Sequence, residues 1–202
     1  MFLLATPSDI GDTVSETNTS SYIHRMSHGP FSENVIFFDA EFTSLDPREG
    51  EILSVALVKP DGKELYLEIE RDPASAHPWV RENILPLLDG HPIQVDEACD
   101  RIREFVGGTT PYLVSYVSHF DTSFLHKLFG DGHWPFSRDP IDFAAMLFTT
   151  GFNPSNLLEN DRILSESVGT EPSTARRMHH ALNDARLLRD AYAKLVRYIE
   201  MN

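Results

Sequence analysis

Val35-Ile36-Phe37-Phe38-Asp39-Ala40-Glu41-Phe42 is an apolar strand that ends in two carboxylates. Side chains alternate along an extended chain, so Asp39 and Glu41 share one face, about 7 Å apart. Two ionised acids beside Val, Ile and Phe are costly unless a cation or hydrogen-bond donors compensate them. Candidate partners lie far along the chain, in Ser118-His119-Phe120-Asp121 and in His179-His180-Ala181-Leu182-Asn183-Asp184. Acids and a histidine drawn from three segments point to a metal-dependent hydrolytic site.

Working outward, Ile52–Val58 is a second apolar run. Pro60-Asp61-Gly62 supplies a turn, because Pro presets φ and Gly accepts a positive one. Residues 63–70 alternate Leu65, Leu67 and Ile69 with polar residues, the period of a half-exposed strand. Three strands on short connections make an antiparallel meander. Residues 79–88 and 94–105 carry apolar positions at helical spacing, and Gly107-Gly108 stops the second helix. Residues 112–117 read as a fourth strand, Asp121 opens a helix, and Ile141-Asp142 closes a short fifth strand before a helix over 143–148. The last helix, 181–199, keeps one apolar stripe through Ala185, Leu188, Tyr192 and Leu195. The expected architecture is α/β, a central mixed five-stranded sheet with helices on both faces.

A chain of 202 residues suits one domain with a sizeable core. Residues 1–30 hold nine Ser and Thr and no apolar period, and are expected to form a flexible extension before a domain over 31–202. No apolar run reaches the roughly 20 residues that span a bilayer. The apolar start, Met1 to Ala5, lacks the basic flank of a secretory signal. A single cysteine, Cys99, excludes an intrachain disulfide, and a cytoplasmic location is the default expectation.

The net charge of −14 opposes tight, nonspecific binding of long duplexes, which relies on Lys and Arg. Its distribution is uneven. Residues 1–160 carry 10 Lys and Arg against 25 acids, whereas residues 161–202 carry 7 against 6. Arg162, Arg176 and Arg177 thus gather in sequence near the histidine segment. Bound divalent cations would add positive charge where a phosphate must sit.

Each acid has a competing reading. Asp39 and Glu41 could be a solvated strand end, but their apolar flanks argue otherwise. Asp121 alone reads first as a helix N-cap, a position that Asp favours, and as a ligand only in company with Asp39 and Glu41. Asp184 falls in the first turns of the last helix, close to its packed face. His179 lies five residues earlier, about 140° away on an ideal helix, so it belongs in the loop or cap before that helix. An imidazole there could act as a general base, with His180 as its rival.

Together, Phe38-Asp39-Ala40-Glu41-Phe42, Phe120-Asp121-Thr122-Ser123-Phe124-Leu125 and His179-x-Ala181-Leu182-x-Asp184-Ala185 resemble the three motifs of the DEDDh 3′–5′ exonucleases, in the family's order. That group includes proofreading subunits, RNase T and oligoribonuclease, and the resemblance covers the chain from about Asn34 onward. It implies a ribonuclease H-like fold and a metal-dependent 3′–5′ exonuclease acting on single-stranded RNA or DNA 3′ ends, RNA rather than DNA, with release of 5′-mononucleotides. It implies two divalent cations, Mg²⁺ or Mn²⁺, held by Asp39, Glu41, Asp121 and Asp184, with His179 as the base. It favours His179 over His180, because the family's histidine stands five residues before the last aspartate. A homodimer is a further expectation of the resemblance.

There are departures. Val117 stands where many relatives carry Asn, and Phe42-Thr43-Ser44-Leu45 replaces a Thr-rich turn. With its Trp79-Val80-Arg81 segment, the chain looks closer to the small bacterial exoribonucleases than to proofreaders. Phe42 could stack on a terminal base or belong to the core, and Arg176 and Arg177 could contact the phosphate chain. Trp134 and Phe136 read as pins of a loop. Two other functions share these residues: a catalytically silent RNA- or protein-binding module, and a hydrolase of dinucleotides or nucleoside polyphosphates.

Overall fold

The computed structural model describes residues 34–173 and 179–202. The expected extension over 1–30 lies outside the described residues. Six strands form one sheet in the order β4-β3-β2-β1-β5-β6. β1 (Val35–Phe42), β2 (Ile52–Val58) and β3 (Glu64–Ile69) are the antiparallel meander. β5 (Tyr112–Ser115) runs parallel beside β1, and β6 (Ile141–Asp142) parallel beside β5. The sixth strand corrects the expected count. β4 is only Pro92–Ile93, on the sheet edge, too short for any period to register and at a place where Pro is tolerated.

Helices cover both faces. α1 is Pro78–Asn83, α2 Val95–Val106, α3 Ser118–Phe129, α4 Phe143–Thr149, α5 Leu157–Val168 and α6 Ala181–Met201. The pattern that suggested one helix over 79–88 breaks at Ile84, because Pro86 lacks the N–H that would continue the ladder; a short 3₁₀ turn, Leu85–Leu87, follows. α5 is not among the elements read from the pattern. Among the described residues no helix is long and apolar enough to cross a membrane.

The alternation of β1 sorts the core. Ile36, Phe38 and Ala40 pack into the layer of Ile102 from α2 and Phe124 and Leu125 from α3. Val35 and Phe37 pack into the opposite layer, with Phe143, Leu164, Leu188 and Tyr192. By the same period of two, Asp39 and Glu41 continue the second row, on the side that α6 covers. A buried ion pair ties α6 to α5: Lys194 Nζ lies 2.6 Å from Asp161 Oδ1, and Asp161 Oδ2 accepts from the Ser173 N–H at 2.7 Å.

Candidate active site

Asp39 and Glu41 sit where β1 runs out of regular pairing. The ladder to β2 shifts register between Glu41 and Phe42, a bulge of the kind that re-aims side chains beside functional sites. α6 delivers Asp184 from its first turn. The carboxylate oxygens of Asp39, Glu41 and Asp184 lie within 4.8 Å of one another. Asp121 stands outside that tight group but close enough for its charge to act on both Asp39 and Glu41.

Asp121 does not open its helix. α3 begins three residues earlier, and its capping position is Val117, which offers no side-chain acceptor. Asp142 serves instead: its Oδ2 accepts from the N–H of Ser118 at 2.9 Å and from its hydroxyl at 3.1 Å. Asp142 thus takes the capping task, and Asp121 sits in the first turn at 7% exposure, in hydrogen-bond reach of the Ser115 side chain.

Crowding these acids has an electrostatic consequence. Burial, then the charges of Asp121, Asp184 and Glu41, push the Asp39 carboxyl well above the usual range. Burial, then Asp184 and Asp121, raise Glu41 to about 8. Asp121 rises to about 7, chiefly through burial. Asp184 is also raised by burial, against the opposing hydrogen bond from the His179 N–H. Asp184 Oδ1 is buried without a hydrogen-bond partner, and no Lys or Arg among the described residues pairs with any of the four. Hard oxygen donors, mutual repulsion and an orphaned buried oxygen together fit a divalent cation such as Mg²⁺ or Mn²⁺.

His179 and His180 part company. His179 lies before α6, exposed, and its N–H donates to Asp184 Oδ2 at 2.9 Å. It lines a cleft of about 600 Å³ together with Asp39, Glu41 and Asp184. His180 occupies the capping position of α6 and turns its ring onto Tyr66, centroids 4.8 Å apart and planes 22° from parallel.

The other cleft wall is aromatic and apolar. Trp79, 48% exposed, meets the His179 ring edge-on at 5.5 Å, and Leu45 is 65% exposed beside it. Phe42 lines the cleft and also stacks on Phe124 at 4.2 Å, at the edge of the core. His77 and Leu45 carried no functional reading from the sequence. An exposed Trp at the start of a helix that otherwise buries its apolar face was the available signal. His77 is fixed by its own N–H to Thr43 O at 2.8 Å and caps α1, its Nδ1 accepting from the Trp79 N–H at 3.3 Å. Trp134 stacks on His126 at 3.8 Å and Phe136 is buried, which pins their loop. Arg162 is paired with Glu159 and Glu166, and Arg176 and Arg177 lie outside the described residues.

No protein-family model matches the chain. A 3′–5′ exoribonuclease of Mycobacterium tuberculosis, found in two strains, is 33% identical over 102 residues. That match takes in 46% of this chain and 60% of the relative's length. S. pombe Pop2p, in its Mg²⁺- and Mn²⁺-bound form, superposes with a TM-score of 0.57 over 90% of this chain and 89% of its own, at 12% identity. E. coli exonuclease I, zinc-bound and in complex with single-stranded DNA, superposes with a TM-score of 0.56 over 83% of this chain and 41% of its own, at 16% identity. The chain therefore resembles a curated 3′–5′ exoribonuclease over part of its sequence, and it shares a ribonuclease H-like fold with Pop2p and exonuclease I.

Proposed function

We propose that this chain is a metal-dependent 3′–5′ exonuclease that trims single-stranded nucleic acid, RNA rather than DNA, and releases 5′-mononucleotides. The observation that carries the reading is the convergence of Asp39, Glu41 and Asp184 in a cleft that His179 also lines. The curated relative, named as an exoribonuclease, supports the choice of RNA.

Asp39, Glu41 and Asp184 would hold one cation, and Asp39 and Asp121 would supply oxygens for a second. When bound, two such cations neutralise charge on the scissile phosphate and on the departing 3′-oxygen. The protein's own groups do the rest. Trp79 and Phe42 hold the terminal base against the cleft wall by stacking, which tolerates any base. His179 takes the proton of the attacking water, and its N–H bond to Asp184 keeps it beside the acids. The new P–O bond forms as the bond to the 3′-oxygen breaks, and that oxygen leaves as an alkoxide that takes a proton from solvent. The apolar wall of Leu45, Val80 and Ile84 limits water around the reacting phosphate.

The test sets a 3′-labelled oligoribonucleotide beside its DNA equivalent and a dinucleotide, each with Mn²⁺ and with EDTA. Label should leave the RNA fastest as mononucleotide, only with metal. Cleavage confined to the dinucleotide would favour the small-substrate hydrolase, and none at all the silent binding module.

A further inference from the structure

His179 is a non-glycine residue at φ 64°, a left-handed conformation that the Cβ of a side chain disfavours. Such a backbone persists only when its surroundings over-determine it. One constraint is its own N–H on Asp184. The other comes through the next residue. His180 offers no side-chain capping bond to α6, and its Nδ1 is buried without a partner, so its ring is held by stacking on Tyr66 rather than through that nitrogen.

Tyr66 is itself immobilised. On β3 it pairs with Ala56 of β2, which pairs with Asp39 of β1, so Tyr66 and Asp39 lie in one row across the sheet. Its hydroxyl donates to Glu68 Oε1 at 3.0 Å. Glu68, only 4% exposed, also accepts from the N–H groups of Gly90 and His91 at 2.9 Å each, and from that of Asp89. A carboxylate held by three successive amides and a phenol is a rigid anchor.

We infer that Tyr66, fixed by Glu68, is a positioning residue for His179, holding the strained turn before α6 through the ring of His180. The inference rests on His179 being the general base. A misplaced base costs rate rather than affinity, and on the order of a 1 Å displacement can cost about 100-fold.

The experiment measures kcat and KM of the full chain on an oligoribonucleotide with Mn²⁺, for Tyr66→Leu, Tyr66→Phe and His180→Ala, each with and without His179→Ala. Tyr66→Leu and His180→Ala should lower kcat by about 10- to 100-fold with KM within about 3-fold, while Tyr66→Phe, which keeps the ring but loses the bond to Glu68, should lower kcat less, by about 3- to 10-fold. On the His179→Ala background, Tyr66→Leu should cost less than about 2-fold, because the base it positions is gone. An equal loss on both backgrounds, or a loss confined to KM, would overturn the positioning role. Full activity of His179→Ala alone would instead overturn the reading beneath it. Should Tyr66→Leu fail to fold, His180→Ala breaks the same stack from the surface side and decides the question.

Discussion

The backbone N–H of His179 donates to Asp184 Oδ2 at 2.9 Å, which couples the placement of the imidazole to one of three convergent carboxylates. One aspartate thereby serves two ends: its charge belongs to the acidic cluster, and its oxygen holds the turn that carries His179. Substitutions at Asp184 can separate these.

Asp184→Asn keeps an acceptor for the His179 N–H but removes the charge. It should fold, and should lose activity by about 1,000-fold or more, because several kcal/mol of charge stabilisation at the phosphate disappear. Asp39→Asn should do the same. Steady-state rates with Mn²⁺, beside a thermal melt of each variant, check this; near-parental turnover in either would remove that residue from the site.

The acidic cluster also sets how stability depends on pH. Asp39, Glu41, Asp121 and Asp184 all have raised carboxyl pKa values in the folded chain, Glu41 about 8 and Asp121 about 7, against unfolded values of roughly 4. The folded state therefore binds more protons than the unfolded one across that window. Its stability is greatest near the acidic end and declines as pH rises through about 7 to 8. The lowered acids, such as Asp46 at about 2, act only below pH 4. In EDTA the melting temperature should fall from pH 5.5 to 8.5, and Mn²⁺ should restore most of the loss at pH 8.5. A melting temperature in EDTA that is flat or rises over this range would contradict the buried cluster.

Trp79 is half-exposed on the cleft wall and touches His179 edge-on. Base–aromatic stacking contributes about 1–3 kcal/mol. Trp79→Ala should raise KM by about 10-fold, with a smaller effect on kcat, and Trp79→Phe should recover most of it. A change in kcat alone would mean that the indole acts on His179 and not on substrate.

Lys194 and Asp161 join α6 to α5 away from the acidic cluster. Lys194→Met strands a buried carboxylate and should cost about 3 kcal/mol of stability. Chemical denaturation measures it; a loss below about 1 kcal/mol would show that the Ser173 hydrogen bonds alone satisfy Asp161.

Much of this was legible in the chain because each signal was local. The period of two in β1 put Asp39 and Glu41 on one face, and the stripe of α6 placed Asp184 near its packed side. The five-residue spacing to His179 exceeded what one helix face allows, and that histidine does lie before the helix. What escaped was long-range or short. β4 has two residues and no pattern. The break at Ile84 follows from Pro86, which was there to be read. The start of α3 at Ser118 depends on Asp142, 24 residues away, acting as a cap by way of the sheet. His77 faces the cleft only because Thr43 and Trp79 hold it there, a relation no spacing encodes.

The account stands or falls on cation binding by the acids at the end of β1. Titrating Mn²⁺ into the metal-free chain, with electron paramagnetic resonance reporting free Mn²⁺, measures it directly. The expected result is a loss of free signal equivalent to about two ions per chain, largely abolished by Asp39→Asn. Free Mn²⁺ that tracks the total added, or binding that Asp39→Asn leaves unchanged, would contradict it.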